Sequence, residues 1–139
     1  MGSILFHYHN TSRRLKQTLL IKSAIARIFA EEKVNFNSLS YIFCTDEFLL
    51  KLNQEYLNHD TFTDILTFNL EGTSLPIVSE IYISVDRVKE NAANLAVPFI
   101  KELYRVMIHG VLHLCGYQDH LPEEKLLMRQ KEDYYLTLF

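Results

Sequence analysis

His109-Gly110-Val111-Leu112-His113-Leu114-Cys115-Gly116-Tyr117-Gln118-Asp119-His120 is the stretch from which the rest of this chain is best read. On an α-helix, His109 and His113 sit one above the other on a single face, about 6 Å apart at the backbone. That spacing lets both imidazoles reach one divalent ion through Nε2. Gly116 can take the left-handed conformation that ends a helix and turns the chain back. The turn would bring a third ligand, Asp119 or His120, to the same ion. Two helical histidines and one further N or O ligand leave a coordination position open, the pattern of a catalytic zinc rather than a structural one. Three of the chain's six histidines fall within this run, beside a glycine and an acid, and no structural requirement of an apolar helix accounts for them.

The run is similar to the zincin pattern with one absence. Position 110 is Gly where a zinc protease carries its general-base Glu, which disfavours peptide hydrolysis by that mechanism.

Working outward, 139 residues at 48% hydrophobic suffice for one domain, residues 1–139, with a single substantial core. Four Gly and three Pro leave little room for linkers, and no repeat or low-complexity tract interrupts the chain. No apolar stretch approaches the roughly 20 residues of a membrane span, and the start, MGSILFHYHN, lacks the charged and apolar regions of a signal peptide. A soluble, cytoplasmic protein is the expectation. The two cysteines make no disulfide framework: Cys44 ends an apolar run as a small buried hydrophobe, and Cys115 points about 200° round the helix from His113. A net charge of −3 means that contact with a polyanion would need a local basic patch.

The pattern predicts a strand over 3–8 and a helix from Thr11 to about Glu32, capped by Thr11 or Ser12. Its apolar positions are Leu15, Leu19, Ile21, Ile25, Ile28 and Phe29, with Arg13, Arg14, Lys16, Lys22 and Arg27 on a solvated face between them. A strand over 39–44, a helix over 47–56 capped by Thr45 or Asp46, and a turn-rich loop at 58–61 follow. Residues 63–70 and 80–85 read as a hairpin joined through Gly72–Pro76. Helices are expected at 86–95, at 98–114 with Pro98 in its first turn, and at 122–136 with Leu126, Leu127, Tyr134 and Leu138 on its apolar side. The sum is an α+β fold, a small mixed β-sheet of about four strands packed with about five helices, one of them the zincin-like metal helix.

These residues carry a family resemblance. HGVLHLCGY followed by Asp-His resembles the YbeY family of metal-dependent endoribonucleases, which act in ribosomal RNA maturation and ribosome quality control. A second block, Leu52-Asn53, Tyr56, Asp60 and Thr63-Asp64-Ile65-Leu66-Thr67-Phe68, is similar to the family's Leu-Asn-x-x-Tyr-Arg-x-x-Asp-x-x-Thr-Asp-Val-Leu-Ser-Phe segment. Glu80-Ile81-Tyr82-Ile83-Ser84 resembles a third, so the likeness spans essentially the whole chain. Two positions depart from the pattern. Leu57 stands where the family segment has Arg, a side chain suited to clamping a phosphate. Either another cation such as Lys51, Arg105 or Arg87 replaces it, or nuclease chemistry is weak or absent. The family's third histidine lies six residues after the second, which is Asp119 here without a gap and His120 if Gln118 is an insertion; ungapped spacing favours Asp119.

The resemblance implies a zinc-dependent endoribonuclease acting on single-stranded RNA, with ribosomal RNA, ribosomal proteins or the small ribosomal subunit as partners. His109, His113 and Asp119 (or His120) would hold one Zn²⁺, though Ni²⁺, Co²⁺ or Fe²⁺ suit such ligands too. With Gly at 110 the base must come from elsewhere, and Asp64 is the candidate catalytic acid or base. Thr63 is expected to satisfy local backbone, His59 to sit in an exposed loop, and Tyr117 to pack behind the metal turn rather than stack on a base. The competing classes are a non-nuclease metallohydrolase and a non-catalytic RNA-binding assembly factor with a structural metal.

Overall fold

The computed structural model describes residues 2–57 (Leu57 by its backbone alone), 63–70 and 76–139. Along the chain the elements are β1 (Ser3–Tyr8), α1 (Thr18–Glu31), β2 (Phe36–Cys44), α2 (Asp46–Leu57), β3 (Ile65–Asn69), β4 (Ile77–Ser84), α3 (Val85–Leu95), α4 (Phe99–Leu114) and α5 (Pro122–Leu136). The strands form one sheet in the order β1-β2-β4-β3. β1 pairs parallel with β2, and β2 parallel with β4, while β3 lies antiparallel to β4. Helix α1 is the crossover that a parallel β1–β2 pair requires. The expected α+β architecture, a four-stranded mixed sheet with five helices among the described residues, is what forms.

Alternation sets which face of the sheet is dry. Leu39, Tyr41 and Phe43 of β2 and Ile81 and Ile83 of β4 point to one side, where Ile21, Ile25, Ile28 and Phe29 of α1 and Met107, Ile108, Val111 and Leu112 of α4 close over them. Each such side chain fully removed from water contributes about 1.5–3 kcal/mol before the entropy of ordering it is counted. The opposite face is covered over its β3–β4 half by α2, through Leu49, Leu66 and Cys44.

Two contacts fix α4, and hence the histidines, against the sheet. The buried Tyr41 hydroxyl donates to the Met107 carbonyl at 3.0 Å. Gly110 faces β3 and β4 so closely that a Cβ would lie 2.9 Å from the terminal methyls of both Ile65 and Ile81. The position that a zinc protease gives to a glutamate is therefore a helix–sheet contact in this protein.

Three expectations are corrected. Helix α1 begins at Thr18, not Thr11: Gln17 is left-handed at φ 56°, and the preceding segment folds back on β1 with Leu15 N–H donating to the Tyr8 hydroxyl at 3.0 Å. Consequently Arg13 and Arg14 do not belong to a solvated helix face; they cover the rings of Phe99 and Tyr8 at 4.0 and 4.3 Å. Leu19 is 81% exposed because, at about 100° per residue, it lies on the side of α1 opposite the buried Ile21 and Ile28. On α5 the buried positions are Met128, Glu132 and Tyr135, whereas Leu126, Leu127 and Tyr134 are exposed. A buried carboxylate in the inward stripe is what misleads a hydrophobic count there. The 58–61 loop with His59 and Asp60, most of the Gly72–Pro76 turn, and the Leu57 side chain lie outside the described residues.

Candidate metal centre and cleft

Helix α4 has a second, chemical stripe. Glu102, Arg105, His109 and His113 recur at i, i+3, i+7 and i+11, on the side facing α5 and the turn after Leu114. The helix ends as the sequence suggested: Cys115 caps it, Gly116 follows at φ 102°, and Tyr117 N–H donates to the Leu112 carbonyl at 3.0 Å.

This turn carries Asp119 back to the histidines. His109 Nε2 and His113 Nε2 face each other at 2.9 Å, and Asp119 Oδ2 lies 3.3 Å from the first and 3.6 Å from the second. One donor atom from each of the three residues falls within 4.8 Å of the others, a group able to hold a metal ion. His120 is not part of it: its side chain is exposed and its backbone N–H donates to Glu124 Oε1 at 3.2 Å, at the start of α5.

The far sides of both rings are committed. His109 Nδ1 donates to Glu132 Oε2 at 2.7 Å, and His113 Nδ1 donates to the Tyr117 carbonyl at 2.9 Å. Each imidazole is therefore held in the tautomer that turns an Nε2 lone pair toward the other residues of the group. Two such nitrogens at 2.9 Å cannot both carry protons: either one ring donates to the other, or both lone pairs turn to one shared cation. Burial alone would lower the His109 pKa, but the hydrogen bond and charge of Glu132, helped by Asp119 and Asp64, raise it above the ordinary imidazole value. In His113, burial and the charge of His109 prevail and hold the pKa down. Two histidines and a carboxylate, with both rings braced from behind, suit zinc and its neighbours in the first transition row.

Beside the group lies a cleft of about 390 Å³ between α4, α5 and the start of β3, lined in part by Asp64, Glu102, Arg105, Lys125 and Arg129. Asp64 accepts a hydrogen bond from Asn91 Nδ2 at 3.3 Å. Burial pushes its carboxyl up more than His109 and Arg87 pull it down. Arg105 is enclosed by carboxylates, with Glu132 and Asp133 each at 3.1 Å and Glu102 at 3.8 Å. Of the cations considered as replacements for the family's arginine, Arg105 reaches the cleft, Arg87 pairs with Asp46 at 2.8 Å, and Lys51 projects from the exposed side of α2 beside Glu55. Thr63 Oγ1 bonds locally to the Ile65 carbonyl at 3.3 Å. The Tyr117 hydroxyl donates to Glu32 Oε1 at 2.7 Å, which docks the metal turn on the end of α1.

Glu132 is the residue of this site that sequence reasoning missed. It lies 23 positions beyond His109 in a helix with no motif of its own, and its signal was only a charge at i+4 from Met128 and i−3 from Tyr135, both buried.

Comparison with known proteins agrees with the sequence motifs. Residues 7–139 match the family model described as Endoribonuclease YbeY. The chain is 47% identical over 136 residues to the protein named Endoribonuclease YbeY in Flavobacterium psychrophilum, covering 98% of this chain and 96% of that one. Against the protein of the same name in Cytophaga hutchinsonii it is 43% identical over 136 residues, covering 98% and 95%. The solution structure of TM1509 from Thermotoga maritima superposes with a TM-score of 0.66 at 28% identity, over 98% of this chain and 87% of that one. With a braced His-His-Asp group at the end of α4 and matches of this extent, the chain belongs to the endoribonuclease YbeY family.

Proposed function

We propose that this protein is a metal-dependent endoribonuclease that cuts single-stranded RNA during ribosomal RNA maturation and ribosome quality control, with residues 1–139 acting as one catalytic domain. The observation that carries the reading is the His109–His113–Asp119 group opening onto a cleft that also holds Asp64. These three residues would bind zinc, which when present supplies a Lewis acid for a phosphoryl oxygen and lowers the pKa of water at the site.

The chain's own residues account for the remaining steps. Glu132 and the Tyr117 carbonyl keep the Nε2 atoms of His109 and His113 aimed at one another and at Asp119. Asp64, whose raised pKa brings its two protonation states closer in energy near neutrality, takes the proton from the attacking hydroxyl, whether of water or of the ribose. The turn of Gly116 sets Asp119 opposite the two rings. No helix among the described residues is long and apolar enough to cross a membrane. The reading has the protein work in the cytoplasm on RNA of the small ribosomal subunit, where ribosomal proteins are its neighbours.

A non-catalytic RNA-binding factor is the second reading, favoured by Leu57 in place of the family's arginine. Elemental analysis of untagged protein tests the centre. Close to one equivalent of zinc is expected in the native chain and in His120→Ala, none in His113→Ala, and well under one equivalent, held by the two histidines, in Asp119→Ala. Metal-loaded protein should then cleave single-stranded RNA, and a chelator should stop it. Native protein that is purified without chelators and binds no metal would sink the catalytic reading, and bound zinc without turnover would favour the second.

A further inference from the structure

The wall of the cleft formed by α5 presents Lys125 and Arg129, one helical turn apart and on the same side. Neither makes an ion pair among the described residues. The contrast with Arg105 is informative. That guanidinium, the one on α4 that reaches the cleft, is spent on Glu132, Asp133 and Glu102. It cannot turn to a phosphate without abandoning the carboxylate that orients His109. The Leu57 side chain has no charge to offer. Lys125 and Arg129 are the cations of the cleft that hold no close ion pair among the described residues; Arg129 feels the charge of Glu102 only at longer range.

A second feature indicates that the cleft takes a polar ligand. Glu102 is 5% exposed and lines the same cavity, yet its Oε1 accepts no hydrogen bond. Arg105 Nε lies 3.8 Å away, too far to donate. A buried carboxylate oxygen without a donor costs roughly 1–3 kcal/mol or more, and a ligand bearing N–H or O–H groups would relieve it. RNA offers both in its riboses and bases, alternating with phosphates that suit Lys125 and Arg129.

We propose that Lys125 and Arg129 form a phosphate-binding subsite on α5 that holds the RNA strand beside the metal group and takes the place of the arginine absent at position 57. The subsite rests on the endoribonuclease reading and adds to it the wall along which the strand runs. Phosphate contacts of this kind position a strand without reading its sequence. Binding should therefore weaken on every sequence alike when they are removed.

The test is anisotropy of a short fluorescein-labelled 2′-O-methyl RNA, which keeps each phosphate, titrated with metal-loaded protein across a range of salt. The double variant Lys125→Gln/Arg129→Gln should bind roughly tenfold more weakly, and its slope of log K against log salt should be shallower by about 1.4, at about 0.7 for each phosphate no longer neutralised. Its metal content and melting temperature should equal those of the native protein. The charge-matched variant Lys16→Gln/Lys89→Gln, which removes two exposed lysines that do not line the cleft, should bind as the native protein does. Native affinity and salt slope in the Lys125/Arg129 variant would overturn the subsite while leaving the endoribonuclease reading intact. Equal weakening in both double variants would reduce the effect to net charge and overturn it as well. A native protein with no affinity for RNA would remove both the subsite and the reading beneath it.

Discussion

His109 and His113 leave the same side of α4 one turn apart, yet they are held by different means. His113 is fixed within its own neighbourhood, by the carbonyl of Tyr117 in the turn that follows the helix. His109 is fixed from a distance, by a buried carboxylate of α5 that itself rests on Arg105. The first support is backbone and survives any side-chain change at 117. The second is a charged pair that one substitution deletes. A metal site built this way has one robust ring and one ring whose orientation depends on the packing of two helices.

The largest effect on this asymmetry is expected from Glu132→Ala. It frees the His109 ring and leaves the mostly buried Arg105 with Asp133 and a distant Glu102. Metal affinity should fall by about 10–100-fold. Stability should fall by about 2–3 kcal/mol, because Arg105 and His109 both lose their charge-assisted hydrogen bonds to the buried carboxylate. Competition against a chromogenic chelator and thermal denaturation of the chelated protein read the two effects separately. An affinity equal to that of the native chain would show that His109 needs no support, and that the asymmetry between the two rings has no consequence for binding.

The asymmetry also explains how far the sequence could be read. The His113 side of the site is local, so spacing, a glycine and an acid disclosed it before any fold was known: the helix end, the left-handed Gly116 and the return of Asp119 are all within six residues of His113. The sheet and its helices were legible for a similar reason, since β2, β4 and α4 bury their residues with plain periods of two or 3.6. The His109 side is non-local. Only its spacing from Met128 and Tyr135 sets Glu132 apart from Glu123 or Glu124, and a buried carboxylate makes the true inward stripe look polar while Leu126 and Leu127, on the outer sides, look like the core. The start of α1 was missed through a related cause. Arg13, Arg14 and Leu15 fit a helical period, but ring contacts with Phe99 and Tyr8 and the Leu15–Tyr8 hydrogen bond hold them in another path.

Glu32 supports the local, His113 side of the site. Its carboxylate accepts from Tyr117 and Tyr135 and pairs with Lys131 at 3.3 Å, so it docks the metal turn on α1 and α5 without touching a ligand. Burial would raise its pKa, but the hydrogen bonds from the two tyrosines and Lys131, with the charge of Lys131, outweigh it and leave the value below 4.5. A carboxyl depressed by folding stabilises the protein above its unfolded pKa and loses that contribution as the pH falls through the folded one. Glu32→Gln should accordingly cost about 1–2 kcal/mol near neutrality. The gap should hold down to about the unfolded value of 4.5 and close below it. Metal affinity should change far less than in Glu132→Ala. Denaturant titrations of both proteins over this pH range measure the gap, and one that widens toward acid would contradict the sign.

The smallest effect is expected at Gly116, and it separates conformation from contact. A Cβ there would meet nothing within 4 Å, so any cost of Gly116→Ala comes from φ 102° alone. Holding an L-residue in that region costs about 1–2 kcal/mol. The chain can relieve the strain by opening the turn, which would move Asp119 away from the rings but leave the hydrogen bond of His109 to Glu132 in place. The variant should thus lose about 1 kcal/mol of stability and a few-fold in metal affinity, with the loss expressed at Asp119. If so, Gly116→Ala in an Asp119→Ala background should cause no further loss of the residual metal affinity, because the two changes act on one ligand. Additive losses would mean that the turn also positions His113, through Tyr117, and that the local support is less independent of the glycine than its backbone hydrogen bond suggests.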